Sequence, residues 1–203
     1  MNMPNIVSNC CLGGHLYRTQ GWLYNTPFIW CAILHPSIMN LITKWDDMDF
    51  TKFHLVTGDW SKCADKKYFK LIIDNVVEVH YTHYLKDERY ATPHVDDVDV
   101  NYADIENYIV EKYTERLSRM NECPAFVVLD EMPHYDYTHD NVKALLELPT
   151  DYKIVCITRH QDLLDYNSSN RLCIFDDTNR LDDCHCPIYY TKYINEINSF
   201  IMD

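Results

Sequence analysis

The sequence has no apolar run long enough to cross a bilayer, so we expect no membrane span. Its first residues, Met1 to Asn5, lack the charged start and apolar stretch of a secretory signal, and we expect a cytoplasmic protein. Basic residues are also scarce: 18 lysines and arginines stand against 31 aspartates and glutamates, which gives a formal net charge of −13. Such an acidic surface would repel a polyphosphate backbone, so nucleic acid is not an expected partner.

The chain also lacks internal repeats, low-complexity tracts and clear linkers, which predicts one domain over residues 1–203. Hydrophobic residues make up 47% of the chain, too many for intrinsic disorder. The nine cysteines are odd in number, and Cys156 and Cys173 stand in apolar runs typical of buried strands. These features predict free thiols in a reducing compartment.

The apolar pattern along the chain predicts alternating strands and helices. Predicted strands cover 5–8, 53–56, 68–73, 76–81, 125–129, 153–157 and 172–175. Two predicted helices begin at His15 and Pro36. Three others cover 104–121, with Asp104 as the cap, 140–148 and 190–201. This alternation favours an α/β fold with a mostly parallel sheet flanked by helices. Asp74-Asn75 predicts a two-residue hairpin turn between two of the strands.

The first predicted strand, Asn5 to Ser8, is followed by a predicted turn over Asn9 to Gly14 and a helix. A strand, a glycine-containing turn and a helix start form a common arrangement for binding a phosphate or a nucleotide. The sequence therefore predicts an anion site near its beginning.

A second candidate lies in the predicted strand Val76 to Tyr81, because side chains alternate across a strand. Val77, Val79 and Tyr81 would face the core, while Glu78 and His80 would share the other face. A carboxylate and an imidazole on one face can together hold a divalent cation. The alternative is an ordinary solvated strand face.

Two further acidic pairs carry candidate chemistry. Asp97 and Asp99 form an Asp-Val-Asp sequence, the pattern with which many glycosyltransferases hold a metal against a diphosphate, although acidic clusters in loops are commonly only solvated. Asp130 and Glu131 follow the apolar strand that ends at Leu129 and could supply a general base, a helix cap or an ion pair.

Arg159 also follows an apolar strand, where its guanidinium could bind a phosphate with two hydrogen bonds or form a structural ion pair. A different enzyme class is open as well: Cys10 or Cys11 could be the nucleophile of a hydrolase or acyltransferase, with a histidine as base. Sixteen tyrosines and four tryptophans leave a third possibility, a non-catalytic carbohydrate-binding module.

Several segments together resemble a known family. They are the start Asn5-Ile-Val-Ser-Asn-Cys-Cys-Leu-Gly-Gly14, the segment Tyr24-Asn-Thr-Pro-Phe-Ile-Trp30, the strand Glu78-Val-His-Tyr-Thr-His-Tyr84 and the helix from Tyr108 to Met120. In this order they resemble a polysaccharide-biosynthesis family, including the N-terminal glycosyltransferase domains of chlorella-virus proteins that build capsid glycans. The likeness runs through most of the chain and is strongest before about Met120.

The resemblance implies a GT-A-like fold with a central mixed sheet. It also implies transfer of a sugar, for example rhamnose or glucose, from a UDP-sugar to a glycan acceptor, with Mn²⁺ at the diphosphate. The residues that would line the nucleotide site are Ser8, Asn9, Gly13 and Gly14. Glu78 and His80 would replace the usual Asp-x-Asp at the metal, with Asp97 and Asp99 as the fallback. The chain could be part of a larger multidomain enzyme.

Overall fold

Two four-stranded sheets organise the chain. The structure is a computed structural model that describes residues 4–29, 31–59, 67–81, 102–130, 137–166, 170–178 and 192–203. The strands are β1 (Asn5–Ser8), β2 (Cys31–Ile33), β3 (Phe53–Asp59), β4 (Lys67–Ile73), β5 (Val77–Tyr81), β6 (Pro124–Leu129), β7 (Lys153–Thr158) and β8 (Leu172–Asp176). The α-helices are α1 (Leu12–Gln20), α2 (His35–Lys44), α3 (Tyr102–Leu117), α4 (His139–Leu146) and α5 (Ile194–Met202).

The first sheet is parallel and has the strand order β1-β6-β7-β8. Its central strands are continuous apolar runs, and all six residues of β6 are buried. A strand with helices or strands packed on both of its faces needs apolar side chains in both directions. This sheet confirms the prediction of an α/β fold with parallel strands.

The second sheet is antiparallel and has the strand order β2-β5-β4-β3. Strands β4 and β5 form the predicted hairpin, in which Asp74 and Asn75 have positive φ angles of 49° and 58°. Two consecutive left-handed residues match the twist of a two-residue hairpin, and asparagine and aspartate tolerate this conformation better than most residues.

The single central mixed sheet that we predicted is therefore not what the chain forms. Strands β3, β4 and β5 are joined by short connections that allow antiparallel pairing, whereas a parallel pair needs a long crossover. The two sheets meet where the backbone N–H of Ile33 donates to the carbonyl of Asn9 at 3.4 Å. A GT-A-like arrangement of these sheets remains a prediction.

The parallel sheet separates two apolar clusters. Helices α1 and α5 pack on one face, where Leu16 and Ile197 are completely buried. The opposite face belongs to a larger cluster that includes residues of α2, α3, α4 and the antiparallel sheet. The aromatic contact between Trp45 and Phe126, with ring centroids 6.1 Å apart, belongs to this second cluster. Within the residues described, no helix is both long and apolar enough to span a membrane.

The helix boundaries differ from the sequence predictions at three helices. Helix α1 begins at Leu12 and not at His15, so the two glycines belong to its first turn. Helix α3 begins at Tyr102, which places Asp104 inside the first turn and not at the cap. Helix α5 begins at Ile194. Helix α1 begins early because Gly13 allows close approach to β1: a Cβ atom there would lie 3.1 Å from Cβ of Ser8.

Candidate functional site

The carboxyl-terminal edge of the parallel sheet gathers most of the predicted site residues that the structure describes. Because the four strands are parallel, the residues that follow them lie along the same edge. Asn9 follows β1, Asp130 follows β6, Arg159 follows β7 and Asp177 follows β8. Ligands of open α/β sheets bind outside this edge, so it is the principal candidate site.

Asn9 lies at this edge with its side chain completely buried. Its Nδ2 donates to the carbonyl of Leu129 at 2.7 Å, and its Oδ1 accepts the backbone N–H of Leu129 at 2.9 Å. The amide thus bonds β1 to β6 in the manner of a backbone group. To contact a nucleotide as predicted, the Asn9 side chain would have to exchange these two bonds to Leu129 for bonds to the ligand.

Ser8, Gly13 and Gly14 lie between β1 and the start of α1, and all three are buried. The hydroxyl of Ser8 accepts the backbone N–H of Cys10 at 3.4 Å, which stabilises the turn. Cys11, at the cap position of α1, makes no side-chain capping bond. The helix start is thus near β1, and its role in nucleotide binding stays a prediction.

Asp130 is the most tightly held carboxylate of the edge and has no exposed surface. Its Oδ2 accepts a short hydrogen bond from the hydroxyl of Thr158 and a second, 2.9 Å bond from the backbone N–H of Arg159. Nε2 of His160 lies 4.0 Å from the same oxygen. The structure therefore brings two predicted residues, Asp130 and Arg159, together, while Glu131 lies outside the described residues.

Two imidazoles and a carboxylate beside Asp130 were not predicted as a site. His139, the first residue of α4, has Nε2 2.8 Å from Oδ2 of Asp162 and Nδ1 3.2 Å from Oδ1 of Asp140. The rings of His139 and His160 meet edge to face with centroids 4.7 Å apart. Ligand atoms of His139, His160 and Asp162 all lie within 4.8 Å of one another.

His139 and its aspartate neighbours stabilise each other's charges, which shifts the pKa values of His139 and Asp162. Hydrogen bonds to Asp162 and Asp140 raise the pKa of His139. The hydrogen bond from His139 lowers the pKa of Asp162, although Asp162 is largely exposed. The only sequence signal was a histidine that follows an apolar strand, and nothing in the pattern indicated that α4 would bring a second histidine to it.

Glu78 and His80 do share one face of β5, as predicted, while Val77 and Val79 are buried. Nε2 of His80 lies 2.5 Å from Oε1 of Glu78. However, Nζ of Lys70 on β4 donates to the same oxygen at 2.9 Å. A divalent cation at this pair would have to displace an ammonium group, which carries charge of the same sign. The metal role of the pair stays a prediction.

The pKa values at this pair reflect a balance between burial and pairing. Burial raises the pKa of Glu78, but the hydrogen bonds from Lys70 and His80 outweigh it and the pKa is lowered. Burial lowers the pKa of His80 despite its bond to Glu78. The fallback metal ligands Asp97 and Asp99 lie outside the described residues.

The cysteine hypothesis has little support in this geometry. Burial raises the pKa of Cys10, whereas a cysteine nucleophile needs a lowered pKa. The Sγ atom of Cys10 lies 3.7 Å from the hydroxyl of Ser8, a contact that lowers the pKa of the thiol but is outweighed by burial. Cys11 is partly exposed.

In comparisons with known proteins, no protein-family model and no curated protein matches the chain. The interpretation of the site therefore depends on the geometry above and on the resemblance carried by the sequence.

Proposed function

We propose that the chain is a metal-dependent glycosyltransferase that transfers a sugar, such as rhamnose or glucose, from a UDP-sugar to a glycan acceptor. The observation that carries the proposal is the buried Asp130 carboxylate at the carboxyl-terminal edge of the parallel sheet, which accepts the backbone N–H of Arg159 from the end of the adjacent strand. Sugar transfer from a nucleotide needs a base for the acceptor hydroxyl and positive charge for the leaving diphosphate. Asp130 and Arg159 provide these opposite charges at the ends of adjacent strands.

The diphosphate of the donor is the ligand that we assign to Arg159 and the start of α1. A guanidinium forms paired hydrogen bonds with phosphate oxygens. The amino end of a helix presents backbone N–H groups and a positive dipole to an anion. Gly13 supports this assignment, because the missing Cβ atom lets α1 start close to Ser8 at the same sheet edge.

Asp130 is the base that we assign to the acceptor hydroxyl, with Glu131 as the second candidate. The bonds from Thr158 and the Arg159 backbone fix the orientation of the Asp130 carboxylate. Since Asp130 has no exposed surface, binding of the acceptor has to open a path to it. A fixed and desolvated base is compatible with direct displacement at the sugar, which would invert the anomeric centre.

A divalent cation such as Mn²⁺ would neutralise the charge that builds on the leaving diphosphate. Glu78 and His80 are the ligands that the sequence resemblance assigns to it, and Lys70 competes for the same carboxylate oxygen. The resemblance also supports a role in capsid glycan synthesis in the host cytoplasm, within a larger multidomain enzyme.

Calorimetric titration of UDP, with and without Mn²⁺ and with GDP and CMP as controls, tests the proposal. We expect UDP to bind when the metal is present. Arg159→Ala should weaken binding by about tenfold or more, since it removes charge-assisted hydrogen bonds. The matched control is Arg18→Ala, because Arg18 is exposed on the last turn of α1. Absence of nucleotide binding to the wild-type chain under both conditions would exclude the proposed function.

A further inference from the structure

Three potential metal ligands converge at the carboxyl-terminal edge from two separate segments of the chain. His139 begins α4, His160 follows β7 and Asp162 lies in the 3₁₀ helix Gln161–Tyr166. Their ligand atoms lie within 4.8 Å of one another. His139 and Asp162 belong to helices, and His160 lies in the short connection between β7 and the 3₁₀ helix, so regular structure flanks all three ligands.

We propose that His139, His160 and Asp162 form a binding site for a divalent transition-metal ion of the Zn²⁺ type. Two imidazoles and one carboxylate are a donor set that suits zinc and its neighbours in the first transition row, whereas Mg²⁺ and Ca²⁺ prefer oxygen donors alone. Three protein ligands leave at least one coordination position for water or another ligand, as in catalytic metal sites and unlike closed structural ones.

A hydrogen bond holds two of the three ligands together: Nε2 of His139 and Oδ2 of Asp162 lie 2.8 Å apart, with one proton between them. A metal ion would replace that proton and bind both atoms, with release of the proton to solvent. The movement required is small, because the two ligands from α4 and the 3₁₀ helix are in contact before the metal arrives.

Both histidines also have a carboxylate near a ring nitrogen. Nδ1 of His139 lies 3.2 Å from Oδ1 of Asp140, and Nε2 of His160 lies 4.0 Å from Oδ2 of Asp130. In metalloproteins a carboxylate hydrogen-bonded to the second ring nitrogen, as Asp140 is to His139, fixes the tautomer and the orientation of a ligating imidazole. Asp130 at 4.0 Å is beyond hydrogen-bond distance of His160 and provides negative charge near it.

Exposure of the group is compatible with entry of an ion. His139 and His160 have 33% and 29% of their side-chain surface exposed, and Asp162 has 62%. The buried Asp130 lies 4.0 Å from Nε2 of His160, so the group lies between solvent and a buried carboxylate. This inference does not rest on the proposed glycosyl transfer, because the metal can be titrated alone.

The test is titration of the full chain with Co²⁺, followed by competition with Zn²⁺. Co²⁺ at a nitrogen and oxygen site gives visible absorption without the intense near-ultraviolet band of cobalt–thiolate bonds. We expect one tight equivalent, displaced by Zn²⁺. His139→Ala and Asp162→Ala should each lower the affinity by about 100-fold, since a direct ligand contributes at least as much as its supporting groups.

The matched control is His54→Ala, because His54 is an exposed histidine of β3 in the other sheet. It should bind Co²⁺ like the wild type. Far-ultraviolet circular dichroism verifies that each variant is folded, and Asp162→Ala removes an exposed side chain whose loss the core tolerates. Wild-type affinity in both ligand variants, or a thiolate band that places the metal on cysteines, would overturn the inference. Nucleotide is absent throughout, so failure of UDP binding does not affect the outcome.

Discussion

The antiparallel and parallel sheets each carry a histidine–carboxylate group, and the two groups differ in their charge partners. On β5, Oε1 of Glu78 is bonded both to Nε2 of His80 and to the ammonium group of Lys70. His139 and Asp162 are instead bonded to each other, and His139 also to Asp140. An ammonium group satisfies the carboxylate in the first group, while the second keeps an excess of negative charge that a metal ion would balance.

Burial distinguishes Glu78 from Asp130, the carboxylate beside the second group, although Asp162 of that group is itself 62% exposed. Glu78 has 27% of its side chain exposed, whereas Asp130 beside His160 has none. A carboxylate without solvent depends entirely on its protein donors, and the groups that donate to it are left unpaired if it is removed. Both groups contain a histidine and a carboxylate, so their own residue types do not distinguish them. The residues that surround each group do.

The largest expected effect comes from deleting the buried Asp130, in comparison with deleting Glu78. Asp130→Ala should lower the free energy of unfolding by about 3 kcal/mol, because it leaves the Thr158 hydroxyl and the Arg159 backbone N–H without their acceptor. Glu78→Ala should cost no more than about 1 kcal/mol, since Lys70 can turn to water. Urea denaturation of both variants measures the difference, and equal losses would show that the contrast in burial has no energetic consequence.

Thr158→Val sharpens the comparison by removing one donor to Asp130 and leaving the carboxylate in place, and it also removes the acceptor of the His160 backbone N–H. Thr158 is completely buried and donates to a charged acceptor, so the loss should be about 2 kcal/mol. The control is Thr43→Val, because the exposed Thr43 donates within its own helix, to the carbonyls of Met39 and Asn40. A loss at Thr158 no greater than at Thr43 would mean that Asp130 does not depend on this bond.

The fold could be predicted where local pattern and tertiary packing agree. The continuous apolar runs of β6 and β7 identified the central strands, and Asp74-Asn75 identified the hairpin. The start of α1 was missed because Gly13 was taken as a turn residue, while in the structure it serves close packing against Ser8. The division into two sheets was also missed, since strand pairing depends on contacts between distant segments.

The candidate site was predictable only where its residues are neighbours in sequence. Strand alternation placed Glu78 and His80 on one face, but the position of Lys70 follows from the register of β4 against β5. His139 and Asp162 are 23 residues apart and meet because α4 and the 3₁₀ helix lie at the same sheet edge. No spacing rule connects them, and the structure was needed to find the group.

Lys70→Met tests whether the ammonium group is what keeps metal from Glu78 and His80. In a His139→Ala background, which disables the proposed edge site, Co²⁺ affinity should rise by about tenfold, because removal of one positive charge a few ångströms away is worth about 1 kcal/mol or more. Absorption titration measures this change. Lys52→Met is the control, since Lys52 pairs with Asp49 on the exposed surface. An unchanged affinity would show that charge is not the obstacle.

The smallest expected effect is the dependence of stability on pH at His80. Burial holds the pKa of His80 below its ordinary value, so the unfolded chain takes up a proton there before the folded chain does. The stability that neutral His80 contributes is present above its unfolded pKa of about 6.5 and is lost as the pH falls towards the folded value. The lowered pKa of Glu78 acts in the same direction at more acidic pH.

Urea denaturation of the metal-free chain on both sides of the unfolded histidine pKa of about 6.5 measures this contribution. His80→Gln should lose less stability than the wild type as the pH falls, because the variant has no proton to take up at this position. His54→Gln should follow the wild type, since His54 is exposed. If His80→Gln also follows the wild type, then acid sensitivity arises elsewhere and the Glu78–His80 pair contributes no more to folding than a solvated ion pair. A flatter profile would instead show that the pair is part of the folded structure without a metal, which is the role that its contact with Lys70 indicates.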